Sequence, residues 1–266
     1  MKLKFTKMHG AGNDFVMIEE GAYGNTPLHP DVIRKICDRR FGIGCDQLLI
    51  VAPSQKADFR MDIYNADGGQ VEMCGNGIRC FAKYVHDKKI SSKTCLDVET
   101  LAGIIKPEMI KHPGNNGDTL WVKVDMGEPT VSGEMKVRKF VGTSLSMGNP
   151  HYVVFVDRVD NYPVWEYGRL IETDPRFPNR VNVEFIQVLS PKELKMRVWE
   201  RGAGETQACG TGACAAAVAA VLRQKTGREV LVHLKGGDLE INWDEKTNHV
   251  FMTGPATTVY EGEIEI

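Results

Sequence analysis

The chain contains two copies of one pattern. VEMCGNGIRC at 71–80 and TQACGTGACA at 206–215 each place a cysteine directly before Gly-x-Gly and an apolar segment. Cys74 and Cys209 stand 135 positions apart (209 − 74), about half of the 266-residue length. The same offset pairs Arg60-Met61-Asp62-Ile63-Tyr64-Asn65 with Lys195-Met196-Arg197-Val198-Trp199-Glu200, both alternating as strands do, and pairs Gln47 with Asn182. Arg40-Phe41 matches Arg176-Phe177 at an offset of 136, and Gly12-Asn13 before FVMI mirrors Gly148-Asn149 before YVVF. Matches that hold register through most of both halves mark a duplicated unit. The fold must therefore accommodate one domain twice.

Each copy reads as a strand, a helix opened by proline, two or three strands, and a second helix starting at Cys-Gly-x-Gly. In the first copy the strand Phe15–Ile18 precedes HPDVIRKICDRR, whose Val32, Ile33 and Ile36 share a face. In the second, Tyr152–Val156 precedes YPVWEYGRLIE. Ile78, Phe81, Ala82 and Val85 then fall at i, i+3, i+4 and i+7, one apolar stripe. The equivalent segment, ACAAAVAAVLRQ, is small and apolar all round and stops near Gly227. Such a helix is buried on every side, and alanine lets strands approach it closely. The expectation is an α+β fold of two pseudo-twofold-related domains, each a curved sheet around a central helix. CLDVET, REVLVHL, LEINW, HVFMTG and TTVYEGEIEI read as further strands. The Pro/Gly/Asn-rich stretch KPEMIKHPGNNGDT at 106–119 supplies the boundary, giving domains 1–118 and 119–255.

Charge narrows the partners. The formal net charge is −2 and no run of five Lys/Arg occurs, so neither nucleic acid nor an anionic membrane surface is indicated. MKLKFTKMHGAGND lacks the apolar region of a signal peptide, and no apolar run approaches the roughly 18 residues that span a bilayer. Seven cysteines, an odd number, without an export signal point to a reducing cytoplasm. Neither Cys74…Cys80 nor Cys209…Cys214 has CxxC spacing, and no histidine follows at finger-like distance, so no metal is expected. Cys37, Cys45, Cys80, Cys95 and Cys214 read as small buried hydrophobes.

Cys74 and Cys209 read differently. At a helix N-terminus, unpaired N–H groups and the helix dipole favour the thiolate, and glycines let N–H groups approach an anion. One such cysteine implies a nucleophile or redox centre. Two, related by duplication and facing each other across an interdomain cleft, suit proton exchange at a carbon stereocentre: one thiolate removes a proton, and the opposing thiol delivers one to the other face. The N–H groups of both helix starts would hold a substrate carboxylate and the charge that develops on it. The scheme calls for no cofactor.

The motifs KMHGAGNDFVMIE, RRFGIGCDQLLIV, NADGGQVEMCGNGIRC, ETLAG, MGNPHYVVFV, VNVEF, WERGAGETQACGTGACA and TGPATTVYEGEI, in that order, resemble those of the diaminopimelate epimerase family over essentially the whole chain. The resemblance implies interconversion of LL- and meso-2,6-diaminopimelate, a small-molecule substrate, in lysine and peptidoglycan-precursor synthesis without pyridoxal phosphate. It also implies two mixed β-roll or barrel domains, with the C-terminal strand, 256–266, returning to the first. Cys74 and Cys209 would be the acid and base. Asn13, Gln47, Asn65, Asn149 and Asn182 match polar side chains around the substrate. Glu200 and Arg201 match an acid-and-guanidinium pair, and Gly75-Asn76 and Gly210-Thr211 match anion-binding helix starts. His151 and Glu200 match residues that tune the thiols, and Tyr260 matches a tyrosine at a homodimer interface.

Three rival readings stand beside this one. An epimerase or racemase for proline-type substrates also uses paired cysteines, but is not expected to combine HGAGND, MGNPH and WERGAGE. Gly210-Thr211-Gly212-Ala213-Cys214-Ala215 fits the dinucleotide fingerprint G-x-G-x-x-A, yet its lead-in ERGAGETQA is no buried parallel strand. Facing cysteines also suit a thiol-redox protein.

Overall fold

A computed structural model of the chain describes residues 2–23, 28–112 and 120–265. The chain divides into two compact units, Met1–Val124 with Gly254–Ile266, and Asp125–Thr253. The boundary at 118/119 read from the sequence lies outside the described residues, as does 113–119 of the expected linker; Glu108–Lys111 of that linker is a strand.

The first unit runs β1 (Lys2–Gly10), β2 (Asn13–Glu19), α1 (Pro30–Cys37), β3 (Gln47–Ala52), β4 (Phe59–Asn65), β5 (Gln70–Val71), α2 (Gly75–Asp87), β6 (Val98–Thr100), β7 (Gly103–Ile105), β8 (Glu108–Lys111) and β9 (Leu120–Asp125). The second runs β10 (Thr130–Val137), β11 (Phe140–Ser146), β12 (Pro150–Phe155), α3 (Val164–Glu172), β13 (Asn182–Ser190), β14 (Glu193–Glu200), β15 (Gly204–Glu205), α4 (Gly210–Leu222), β16 (Glu229–Leu234), β17 (Gly237–Trp243) and β18 (Val250–Pro255). The last strand, β19 (Thr257–Glu265), pairs antiparallel with β1 of the first unit.

Strand order repeats with the sequence. The first unit reads β19-β1-β2-β3-β4-β6-β7 with β5 on β4, and the second β10-β11-β12-β13-β14-β16-β17-β18 with β15 on β14. Thus β19 occupies in the first unit the place of β10 in the second. In both, the pairs β2/β3 and β4/β6, or β12/β13 and β14/β16, are parallel within otherwise antiparallel sheets. Parallel neighbours need crossover connections. The helices α1 and α2, or α3 and α4, are those crossovers.

Each sheet is consequently covered on both faces. On β12, Val153 packs into the cluster around α4, whereas Tyr152 and Val154 join the cluster around α3. On β13, Ile186 faces α4 while Val183 and Phe185 face α3. That alternation places His151, Asn182 and Glu184 on the α4 side. Every residue of α4 from Gly212 to Ala220 is buried, in agreement with its apolar circumference, and α2 buries the Ile78, Phe81, Ala82 and Val85 stripe. The α+β class with two helix-centred mixed sheets agrees with the sequence reading.

Some boundaries differ. The helix expected over residues 29–40 ends at Cys37, because Asp38 turns the chain by accepting the N–H groups of Arg40 and Phe41. The second-copy helix opens at Gly210, directly after Cys209, as its Cys-Gly-x-Gly start requires, and ends at Leu222, short of the Gln224 that closes ACAAAVAAVLRQ. Cys37, Cys45, Cys80 and Cys214 are buried, but Cys95 is exposed in an isolated bridge to Glu108. Among the described residues, no helix is long and apolar enough to cross a membrane.

Candidate active site

Both cysteines cap helices. Cys74 (φ −139°, ψ 114°) precedes α2 and its Sγ accepts the Gly77 N–H at 3.4 Å; Cys209 (φ −124°, ψ 112°) precedes α4 and its Sγ accepts the Gly212 N–H at 3.3 Å. The N3 glycines are required by close approach, not by backbone angle. A Cβ on Gly77 would lie 3.3 Å from both Cys74 Cβ and Leu49 Cδ1, and one on Gly212 would lie 2.8 Å from Glu184 Oε1 and 3.2 Å from Cys209 Sγ. A side chain at Gly212 would crowd both Glu184 and the capping sulfur, and one at Gly77 would press on the Cys74 Cβ and Leu49.

In the first unit, Asn13 lies where β1 turns into β2. Its Nδ2 donates to Asp46 Oδ2 (2.8 Å), and its Oδ1 accepts from Asn76 Nδ2 (3.3 Å) and from the Cys74 thiol (3.7 Å). Gln47 and Asn65 face each other across β3 and β4, with Gln47 Nε2 donating to Asn65 Oδ1 at 2.9 Å. Gln47 Oε1 is buried with no hydrogen-bond partner among the described residues. A buried acceptor left open in this way is costly unless a ligand or water completes it.

In the second unit, Asn149 Nδ2 donates to Thr211 Oγ1 (3.3 Å), and Thr211 Oγ1 lies 3.5 Å from Cys209 Sγ. His151 Nε2 meets Asn149 Oδ1 at 2.9 Å, and His151 Nδ1 meets Glu184 Oε1 at 2.7 Å. Asn182 spends its amide internally: Nδ2 donates to the Pro150 carbonyl (3.0 Å) and Oδ1 accepts the Arg201 N–H (2.9 Å). Glu200 accepts from Thr206 Oγ1. The Arg201 side chain is exposed, with Nη1 3.4 Å from the Asn179 carbonyl. Thus, unit by unit, Cys74 gathers Asn13 and Asn76, while Cys209 gathers Asn149, His151, Glu200 and Thr211. Tyr260 sits elsewhere, on β19 at the sheet edge, 46% exposed and packed edge-on against Phe5.

The electrostatics of Cys209 correct the sequence expectation. Burial pushes its thiol well above the ordinary range, the carboxylates of Glu200 and Glu184 push it further, and Thr211 and the Gly212 N–H oppose them. Desolvation and two nearby anions therefore outweigh the helix start. Glu200 and Glu184 are themselves raised, first by burial, against hydrogen bonds from Thr206 and Cys209 to the former and the charge and hydrogen bond of His151 on the latter.

The sequence reading missed Glu184, Thr206, Asp46 and Glu172. Glu172 accepts Trp199 Nε1–H at 2.7 Å and the Gly202 N–H at 2.8 Å, so α3 holds the turn that carries Glu200 and Arg201. The available signal for Glu184 was its alignment with Leu49 at the repeat offset, a charge set against an apolar residue.

The family model described as diaminopimelate epimerase matches residues 5–132 and 143–259. The chain belongs to the diaminopimelate epimerase family. A diaminopimelate epimerase of Methanococcus maripaludis is 47% identical over 282 residues, covering 99% of this chain and 100% of that protein. The one from Moorella thermoacetica is 49% identical over 281 residues, again covering 99% and 100%. Solved structures extend the likeness of fold beyond diaminopimelate epimerases. A PhzF-family phenazine biosynthesis protein of Bacillus anthracis covers 100% of both chains at 18% identity with a TM-score of 0.76. A hydroxyproline epimerase from Agrobacterium vitis, solved with bound trans-4-hydroxy-L-proline, covers 99% of this chain and 92% of its own at 15% identity and a TM-score of 0.72. At these identities the likeness is one of fold alone.

Proposed function

We propose that this chain is a diaminopimelate epimerase, interconverting LL- and meso-2,6-diaminopimelate through two cysteines. The observation that carries the reading is the family match along nearly the whole chain, with both Cys-Gly-x-Gly segments folded as helix caps. In the proposed step, one sulfur, as thiolate, takes the α-hydrogen as a proton. The electron pair left on carbon delocalises into the α-carboxylate. The other sulfur, as thiol, gives its proton to the opposite face, inverting the centre. The two sulfurs exchange protonation states and are reset by solvent or by the reverse reaction. No electron sink beyond the carboxylate is invoked.

The remaining roles follow from donor and acceptor chemistry. The N–H groups at Gly75-Asn76 and Gly210-Thr211 would bear the charge that grows on the carboxylate. Asn13, Gln47, Asn65, Asn149 and Asn182 would supply or frame polar contacts to the two amino-acid ends, the open Gln47 Oε1 being suited to an ammonium. Glu200 would take an ammonium, and Arg201 a carboxylate in bidentate fashion. His151 and Glu200 would tune the thiols, Glu200 acting on Cys209. The two epimerase-like domains would be 1–118, joined by the terminal strand, and 119–255. The enzyme would work in the cytoplasm as a homodimer through the β19 edge at Tyr260, without nucleic acid, feeding lysine and peptidoglycan-precursor synthesis.

The test is a substrate panel. Turnover of LL-diaminopimelate is expected, with none of proline or hydroxyproline, and Cys74→Ala and Cys209→Ala should each lose at least about 100-fold in epimerisation. Turnover of proline without diaminopimelate would transfer the reading to the proline-type branch.

A further inference from the structure

The two halves of the duplication are not equivalent beneath their sulfurs. In strand register Phe15 stands opposite Gln47, and His151 stands opposite Asn182. Two residues on, Leu49 corresponds to Glu184. The first unit thus lines its helix start with Phe15 and Leu49, whose Cε1 and Cδ1 lie 3.4 and 3.3 Å from the place of a Gly77 Cβ. The second unit sets His151 and Glu184 in the same two places, with both side chains 0% exposed. Removing an ion pair from water costs more than its attraction readily returns, and apolar replacements are often as stable. The first unit is an internal control: it builds the same elements around an apolar pair. The fold alone does not call for the dyad.

The dyad is joined to Thr211 through Asn149. Because Asn149 Nδ2 donates to Thr211 Oγ1, Asn149 Oδ1 is turned to His151 and accepts from Nε2–H. With Nε2 protonated, the close contact between Nδ1 and Glu184 Oε1 holds a further proton between them. Thr211 Oγ1, which accepts from the amide, lies 3.5 Å from Cys209 Sγ; either atom can donate while the sulfur is a thiol, and only the Thr211 O–H can once it is a thiolate. In the first unit the asparagine is reversed. Asn13 Oδ1 faces Asn76 and accepts from the Cys74 thiol, while its Nδ2 donates to Asp46. Asn13 Oδ1 thus meets Cys74 directly as an acceptor, whereas Asn149 reaches Cys209 through Thr211; each sulfur also takes one N–H, from Gly77 or Gly212, and the Cys209 thiol also bonds to Glu200.

We propose that Glu184 is a positioning residue of the Cys209 half-site: paired with His151, it fixes the amide of Asn149 so that its NH2 faces Thr211 and the Thr211 O–H is free to turn to a charged Cys209 sulfur. The charged groups that act on that sulfur are Glu200 on β14 and Glu184 on β13, the latter bonded to His151 on β12. Donors stabilise the sulfur when it carries charge, the state it occupies as base. The catalytic consequence rests on the proposed epimerase activity; the orientation does not.

The experiment uses the full chain with Glu184→Gln, Glu184→Leu and the double variant His151→Phe/Glu184→Leu, which copies the first unit's pair. Glutamine can donate to Nδ1 and so keep Nε2–H on Asn149; leucine cannot. Glu184→Leu and the double variant are expected to lose about 10- to 100-fold in kcat. KM should stay within about two-fold for both, and Glu184→Gln should stay within about three-fold of the parent kcat. Should Glu184→Leu fail to fold, the double variant carries the comparison. Separately from turnover, ¹⁵N-histidine NMR of the parent chain should show an exchange-protected His151 ring N–H that Glu184→Gln retains. The proposal is overturned if the double variant keeps kcat within about two-fold, if Glu184→Gln falls as far as leucine, or if the parent lacks the protected N–H. A parent without diaminopimelate turnover would sink the epimerase reading, while the NMR arm would still decide the orientation.

Discussion

At Cys209, three effects compete and the balance is legible from the neighbours. The helix start and Thr211 offer donors to a thiolate, but burial and the carboxylates of Glu200 and Glu184 favour the neutral thiol and prevail. Alkylation of Cys209 by iodoacetamide, followed by peptide mapping, should therefore begin only as pH climbs past the ordinary thiol value of 9.0, and Glu200→Gln should move the midpoint down. The linkage runs the same way. A folded-state pKa above the unfolded one gives stability that is complete below about pH 9 and fades as pH rises beyond it. Cys209→Ala should flatten that alkaline loss in a denaturant titration; an unchanged slope would mean that the thiol is not raised. The two Cys-Gly-x-Gly segments and the polar pairs Asn13/Asn149, Gln47/Asn182 and Asn65/Glu200 were legible because duplication marks them, whereas Arg201 stood out only through the family motif WERGAGE. Glu184 was not. Both faces of β13 are covered, so Val181–Ile186 is buried throughout, and the alternation that tells inward from outward residues disappears.

Among the elements, α3 shows how packing can reverse propensity. Gly168 sits in mid-helix, where alanine would ordinarily be better by about 1 kcal/mol. Here a Cβ would stand 2.4 Å from Trp199 Cβ and 2.5 Å from its Cγ, in the strand that ends at Glu200. Gly168→Ala should destabilise the chain by about 1–3 kcal/mol, read as a lower Tm, and loosen the turn that Glu172 holds. A Tm at or above the parent's would show that the helix–strand contact is looser than drawn. The helix α4 was recognisable from composition alone, since alanine and valine all round leave no solvent face. The weaker α3 was recognisable from its repeat partner. Pairing was the illegible part: nothing in TTVYEGEIEI says which strand it joins, because register and neighbour are set by tertiary packing rather than by local pattern.

Across the whole molecule, the repeat in the sequence becomes a repeat in strand order, with β19 filling in the first unit the place that β10 fills in the second. A polypeptide duplicated in this way has two similar helix caps but need not keep them chemically alike. The replacement of Phe15 and Leu49 by His151 and Glu184 is where the halves part. The central claim is that two sulfurs, not one, serve a single stereocentre. Its most direct test is the early time course of LL-diaminopimelate in D₂O, with the isotope content of both isomers followed by mass spectrometry. Two bases predict a meso product carrying solvent deuterium at the inverted carbon while unreacted LL-substrate stays protiated. Deuterium entering the remaining substrate as fast as the product, or a product that retains the original hydrogen, would contradict the account.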